Sequence, residues 1–153
     1  YEMLYGLPYT IVRYGTAYGP RSRKADVISI FVERILDKQD IIIHGSGNQK
    51  RNFVFVEDMA GGSVAALKGI GVNKTYVMAG TRTVSVKELA GIVQEVLGIP
   101  ARIRTDASQE REDDYQGEIG SLKETMRELG WEPRTTLEEG IRRYKDWYQE
   151  LKK

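Results

Sequence analysis

The chain has 153 residues, 41% hydrophobic and 29% charged, enough for one domain with a sizeable core. Its 23 basic and 22 acidic side chains leave a formal net charge of +1, without the clustered basic excess that nucleic acid or an anionic membrane requires. There is no cysteine and one histidine, His44, so disulfides, thiolate metal sites, cysteine nucleophiles and histidine metal clusters are excluded.

Tyr1 to Tyr5 reads as the tail of a helix closed by Gly6. The run Tyr9 to Tyr14 is rich in β-branched and aromatic residues and predicts a strand. Gly15 to Lys24, with Gly19-Pro20 and three basic residues, reads as a loop. Val27, Ile30, Phe31 and Ile35 recur at helical spacing, which predicts a helix from Asp26 to about Lys38. Ile41 to Ile43 and Arg51 to Val56 read as strands joined through the turn Gly45 to Asn48. His44, at the end of the first, reads as a surface residue. Glu57-Asp58 opens a helix to about Lys68, its acids set against the positive end of the dipole. Thr75 to Met78 predicts a strand. Ser85-Val-Lys-Glu88 is a capping box, and Leu89, Ile92, Val93 and Val96 form the apolar face behind it. Arg102 to Arg104 reads as a short strand, and Asp106 to Gly120 as an acidic loop. Ser121-Leu-Lys-Glu124 and Thr136-Leu-Glu-Glu139 have the spacing of two more capping boxes. The second opens a last helix with Leu137, Ile141, Tyr144 and Trp147 on one side. Interleaved strands and helices make this an α/β chain, read as a single domain over 1–153 with few strands and about five helices.

The stretch Gly45 to Asp58 invites a phosphate-binding reading. It is not a P-loop, whose spacing and hydroxyl it lacks. It is not the dinucleotide fingerprint either, because Lys50 stands where the third glycine belongs and a strand follows where a helix is required. Arg51, at the mouth of a strand, has two readings: a fork onto a phosphate, or an ion pair with Glu57 or Asp58.

The pattern Gly-x-Gly-x-Gln-x-Arg-x-Phe-Val-x-Val-x-Asp, Gly45 to Asp58, resembles a stretch of the extended short-chain dehydrogenase/reductase family, the nucleotide-sugar epimerases, dehydratases and decarboxylases. Arg13-Tyr-Gly-Thr-Ala-Tyr-Gly-Pro20 is similar to that family's Arg-Tyr-x-Asn-x-Tyr-Gly-Pro segment. Ala79-Gly-Thr-x-x-Val-Ser-Val-x-Glu-Leu89 resembles its next strand-loop-helix, and Leu129-Gly-Trp-x-Pro133 with Thr136-Leu-Glu-Glu-Gly140 its ending. Together these pieces run the length of the chain in family order.

The resemblance implies the C-terminal part of an extended Rossmann-type enzyme: the nucleotide-sugar-binding portion with the last strands of the cofactor fold. It implies NAD(P) as the cofactor of the parent enzyme, none bound by this chain alone, and a nucleotide sugar as the small-molecule partner. It makes Arg51 and Arg111 contacts to the diphosphate. Thr16 falls where the family usually has a sugar-nucleotide-contacting Asn, Val27 in the stretch lining the nucleotide, and Tyr14 beside the nicotinamide. Threonine at 16 lacks the amide's paired donor and acceptor. Arg111 also reads as part of an ion-pair network with its acidic neighbours, Val27 as core and Tyr14 as a strand-end aromatic. The family's chemistry needs a Tyr-x-x-x-Lys pair, in which lysine depresses the tyrosine pKa. The literal match, Tyr148-Gln-Glu-Leu-Lys152, lies on the last helix and reads as packing with a solvated lysine. No catalytic residue and no metal ligand is therefore assigned. The chain is expected to be inactive alone; the alternative is a non-catalytic binding module or a structural fragment. No nucleic acid or membrane partner is expected, a bare sheet edge predicts self-association, and absent cysteine and apolar spans suit the cytoplasm.

Overall fold

In the computed structural model, which describes residues 2–68, 72–106, 108 and 120–153, helix α1 (Glu2–Tyr5) ends on Gly6. Gly6 sits at φ 63° and donates its N–H to the Glu2 carbonyl at 2.8 Å. Strand β1 (Thr10–Tyr14) follows. It pairs in parallel with β5 (Lys74–Met78), in register from Thr10 with Lys74 to Tyr14 with Met78. Helix α3 (Val56–Ala66) packs on this pair, and Tyr76, Met78, Ala66 and Trp131 form a small core with Val12 against it. The outer edge of β5 is met by α5 (Leu122–Leu129): the Val77 N–H donates to Thr125 Oγ1 at 3.0 Å. Lys74 Nζ and the Tyr76 hydroxyl both donate to the Glu128 carboxylate, at 2.6 and 2.9 Å. The Lys74 bond is the first cause holding the Glu128 carboxyl below the usual carboxylate range.

The larger core lies beyond Gly15. Strand β4 (Lys50–Phe55) has β2 (Thr16–Tyr18) parallel on one edge and β6 (Thr83–Ser85) antiparallel on the other. Strand β3 (Ile41–His44) pairs in parallel with β7 (Ile103–Asp106). Helices α2 (Val27–Leu36), α4 (Val86–Leu97) and α6 (Leu137–Leu151) bury their apolar stripes together: Phe31 and Ile35, Leu89 and Val93, Ile141 and Tyr144. The Ser85–Glu88 capping box closes in both directions, and Gly98 ends α4 at φ 64°. Among the described residues no helix is long and apolar enough to cross a membrane, and no group of metal-ligating side chains assembles.

The expected joining of Ile41–Ile43 to Arg51–Val56 as one strand-turn-strand unit is corrected. β3 and β4 belong to different sheets. Gly45 and Gly47 both take positive φ, 79° and 77°, but the turn is braced from outside. Gly45 N–H bonds to Asp106, Lys87 N–H to Gly47 and Val86 N–H to Gln49, so β7 and α4 satisfy the backbone that a hairpin would have paired. Gly15 to Lys24 contains β2 rather than being all loop, because a register with β4 supplies what local propensity does not. Val56 begins α3 instead of ending a strand. Asp26 stands at the α2 N-cap, yet its carboxylate takes the Arg23 N–H at 3.1 Å and none from the helix. Ser121 caps α5 through Lys123 N–H without a reciprocal box. Six helices lie among the described residues.

Tyr144, deep between α2 and α6, donates to Glu33 Oε1 at 3.0 Å, and burial, ahead of Glu33, pushes its pKa up to about 12. The fold therefore holds the neutral phenol. The unfolded chain ionises from about pH 10, so this contribution is complete below pH 10 and is lost between pH 10 and 12. Chemical denaturation of wild type and Tyr144→Phe at pH 8.5 and 11.5 checks this. The wild type is expected to lose roughly 2 kcal/mol more than the variant across that interval; equal losses would refute it.

Candidate functional site

The N-terminal turns of α2, the end of β3 and the start of β4 enclose a cleft of about 450 Å³. Its wall is apolar: Val27, Ile30 and Phe31 from α2, Ile42 and Ile43 from β3, and Val86 from the start of α4. Four polar side chains share the lining: Arg34, His44, Gln49 and Arg51. Arg51, half-buried, lines the cleft on β4 and donates Nη1 to the Lys50 carbonyl at 2.8 Å. Arg34 is held by the Asp40 carbonyl at 3.1 Å, and Gln49 by the His44 carbonyl at 3.0 Å. The size, and an apolar wall facing placed donors, suit a small-molecule site. A planar ring fits an apolar slot of this kind, and guanidinium groups suit an anionic tail.

The structure thus brings together two of the residues singled out from sequence, Val27 and Arg51. Of the two acids named for an ion pair with Arg51, Glu57 pairs with Arg143 at 2.7 Å, and the Asp58 carboxylate takes the backbone N–H groups of Arg134 and Thr135. Thr16 lies in a separate groove of about 590 Å³, with Gly15 to Arg23, Asp26 and Val56. The start of α2 divides the two, since Ala25 and Val27 face the first and Asp26 the second. Tyr14, half exposed, lines neither and shares a hydrogen bond of 2.9 Å with Ser63 Oγ. Arg111 lies outside the described residues. Lys152 is exposed, as expected, and lies 2.7 Å from Asp37 Oδ1 and 4.7 Å from the Tyr148 ring centroid, so that Tyr-x-x-x-Lys spacing also ties the ends of α2 and α6. Asp37 is the first cause raising the lysine pKa. Leu151, expected to pack, is exposed.

Three residues that sequence reasoning passed over or read only in part hold the elements around the site. Asn52, buried next to Arg51, donates Nδ2 to the carbonyls of Gly80 and Arg82 at 2.9 and 3.0 Å and accepts the Gly80 N–H at 2.6 Å. Its only sequence signal is a place between Arg51 and Phe53. Asp58 lies in the first turn of α3, as its reading as a dipole acid requires, and also clamps the last loop, where Trp131 Nε1 donates to its carbonyl at 2.9 Å. Tyr18 is buried, which raises its pKa, and donates to the Thr136 carbonyl at 3.2 Å.

A dinucleotide cofactor needs a glycine turn that opens a helix. Among the described residues the Gly45–Gly47 turn leads into β4, so it does not fit NAD, and no redox step is derived for this chain.

The sequence model of the NAD dependent epimerase/dehydratase family matches residues 1–79. A putative UDP-glucose 4-epimerase of Methanocaldococcus jannaschii is 36% identical over 154 residues, covering 96% of this chain and 48% of that protein. A UDP-glucuronate 4-epimerase of Thermodesulfobacterium geofontis is 31% identical over 150 residues, covering 98% and 46%. The crystal structure of the Thermotoga maritima UDP-glucose 4-epimerase with UDP-glucose superposes with a TM-score of 0.87 at 28% identity, over 99% of this chain and 49% of that one. A UDP-glucuronic acid 4-epimerase of Bacillus cereus, solved with UDP-glucuronic acid and NAD, has the same fold at a TM-score of 0.87 and 23% identity. The chain spans about half the length of the curated relatives it matches.

Proposed function

Since the chain belongs to the NAD dependent epimerase/dehydratase family, we propose that it is the nucleotide-sugar-binding half of an NAD(P)-dependent epimerase or dehydratase, inactive alone. The observation that carries this is the cleft of about 450 Å³ in which Arg51 meets an apolar slot. The slot takes the base, Arg51 takes the diphosphate, and the groove across the start of α2, with Thr16, takes the sugar. Arg111 is proposed as a second diphosphate contact, and Tyr14 as the residue that faces the nicotinamide of the parent enzyme. A non-catalytic binding module is the second reading. It is favoured by Lys152, whose ion pair with Asp37 commits the one Tyr-x-x-x-Lys spacing to a helix tie.

Calorimetric titration with UDP, its thymidine counterpart and GDP tests the proposal. One diphosphate is expected to bind saturably, and Arg51→Ala to weaken it by roughly 10- to 100-fold, the worth of a charge-assisted fork. NAD titrated in parallel is expected to give no heat. Absence of binding by all three diphosphates would remove the proposal, and NAD binding would contradict the assignment of halves.

A further inference from the structure

The wall of the Thr16 groove continues inward from Ser22 as a chain of hydroxyl groups. Ser22 lines the groove, half-buried, with its Oγ 2.8 Å from the Oγ of Ser29, which is fully buried in α2. Ser29 bonds in turn to the phenol oxygen of Tyr144 on α6. Tyr144 donates to Glu33 Oε1 at 3.0 Å. The loop that carries Ser22 is pinned by its own backbone as well. The Ser22 N–H bonds to the Gly19 carbonyl at 3.1 Å, and the Arg23 N–H to Asp26 Oδ2 at 3.1 Å. Inside the first of these turns Arg21 takes φ 66°, a left-handed conformation uncommon away from glycine. Such a conformation persists where the surroundings hold it, and it recurs at ligand clamps.

Each hydroxyl has one proton to give, and a carboxylate has none. The Tyr144 proton goes to Glu33, so the phenol oxygen can only accept from Ser29. An incoming donor favours the ionised phenol, which is the sense in which Ser29 acts on Tyr144. The Ser29 proton is thereby taken, and Ser29 can only accept from Ser22. The Ser22 proton therefore points into the protein, and Ser22 turns only lone pairs to the groove. Reversing the chain would leave the Glu33 carboxylate without its donor. We propose that Ser22 is a one-way acceptor in the groove, selecting a sugar hydroxyl that donates to it, and that Ser29 and Tyr144 are positioning residues that set this polarity from inside the protein. The proposal rests on the reading of this groove as the sugar subsite. A carbonyl, ether or fluorine at the same place meets an oxygen with no proton to offer it.

The probes are UDP, UDP-glucose and the UDP-glucoses in which fluorine replaces one sugar hydroxyl at a time, titrated calorimetrically. Fluorine fills the place of the hydroxyl but cannot donate. UDP-glucose is expected to bind more tightly than UDP. At least one fluorinated sugar should bind about tenfold more weakly than UDP-glucose, the upper end for one neutral hydrogen bond. Ser22→Ala should weaken UDP-glucose and abolish that difference for one of the sugars. Tyr144→Phe removes the phenol oxygen without touching the groove. Ser29 then donates to Ser22, the Ser22 proton turns outward, and the same difference should fall to within about threefold, with UDP bound as by the wild type. A residue that only stabilised the fold would weaken every probe alike and leave their ratios unchanged. A sugar preference with no fluorinated sugar distinguished through Ser22, or a difference that survives Tyr144→Phe, would overturn the proposal and leave the sugar subsite standing. UDP-glucose binding no better than UDP would overturn both.

Discussion

Gly80→Ala is expected to destabilise the protein by about 3 kcal/mol or more, at the upper end of overpacking costs. A Cβ at this position would stand 2.0 Å from the Phe53 carbonyl oxygen and 3.3 Å from Asn52 Oδ1. The first of these atoms is backbone in the middle of the β2-β4-β6 sheet and cannot rotate away. Either β4 shifts, breaking its pairing with β2, or the Gly80 loop lifts and takes the Asn52 bonds with it. Thermal unfolding should show a fall of roughly 6–12 °C, given 2–4 °C per kcal/mol for a chain of this size. Gly91→Ala is the control. It lies in α4 with no heavy atom within 4 Å of the added carbon, and should gain about 0.5–1 kcal/mol from helix propensity. If Gly80→Ala melts with the wild type, the close approach of the Gly80 loop to β4 is not a feature of the folded protein.

Local signals proved legible in the sequence, and long-range ones did not. The capping box at Ser85 and the left-handed glycines after α1 and α4 are properties of four or five consecutive residues, and the structure has them where the spacing puts them. The parallel partnership of β1 and β5 joins residues some 60 positions apart and is signalled by neither strand alone. The false hairpin arose because Gly45 and Gly47 do make a turn, while the decision about what pairs with β3 is made by β7, some 60 residues away. The site divides similarly. Val27 and Arg51 meet in one cleft, but no periodicity could place Thr16 on the other side of the α2 N-terminus. The four resembling segments turn out to be one joint. Tyr18 of the first reaches Thr136 of the last, Asn52 of the second reaches Gly80 of the third, and Asp58 of the second holds the loop after Trp131. Gly140 belongs to the same joint, since a Cβ there would lie 2.1 Å from the Tyr18 hydroxyl. These contacts between segments distant in the chain hold β4, and with it Arg51, in place.

Asn52→Ala is expected to cost about 3–4 kcal/mol, because three backbone groups lose a partner inside the protein. Asn52 is 6% exposed, and its amide meets two carbonyls and one N–H with matched polarity. No other side-chain type of that size offers two donors and an acceptor in one plane. Asn52→Asp separates the electrostatic from the steric part. It keeps the shape and the bond from the Gly80 N–H, but turns an oxygen toward the carbonyls of Gly80 and Arg82. A buried carboxylate facing two carbonyl oxygens has its pKa raised, since burial and the lost hydrogen bonds both penalise the charge. Its protonated form is the one the fold accepts. Stability of Asn52→Asp should therefore be lowest at neutral pH and recover as pH falls toward the ordinary carboxylate range, while Asn52→Ala should share the pH profile of the wild type. Urea titrations at pH 5 and 7 measure both. A cost below about 1 kcal/mol for Asn52→Ala would mean that strand pairing alone fixes the joint. A pH-independent Asn52→Asp would mean that water reaches position 52. In either case Arg51 would not be positioned by the residue beside it.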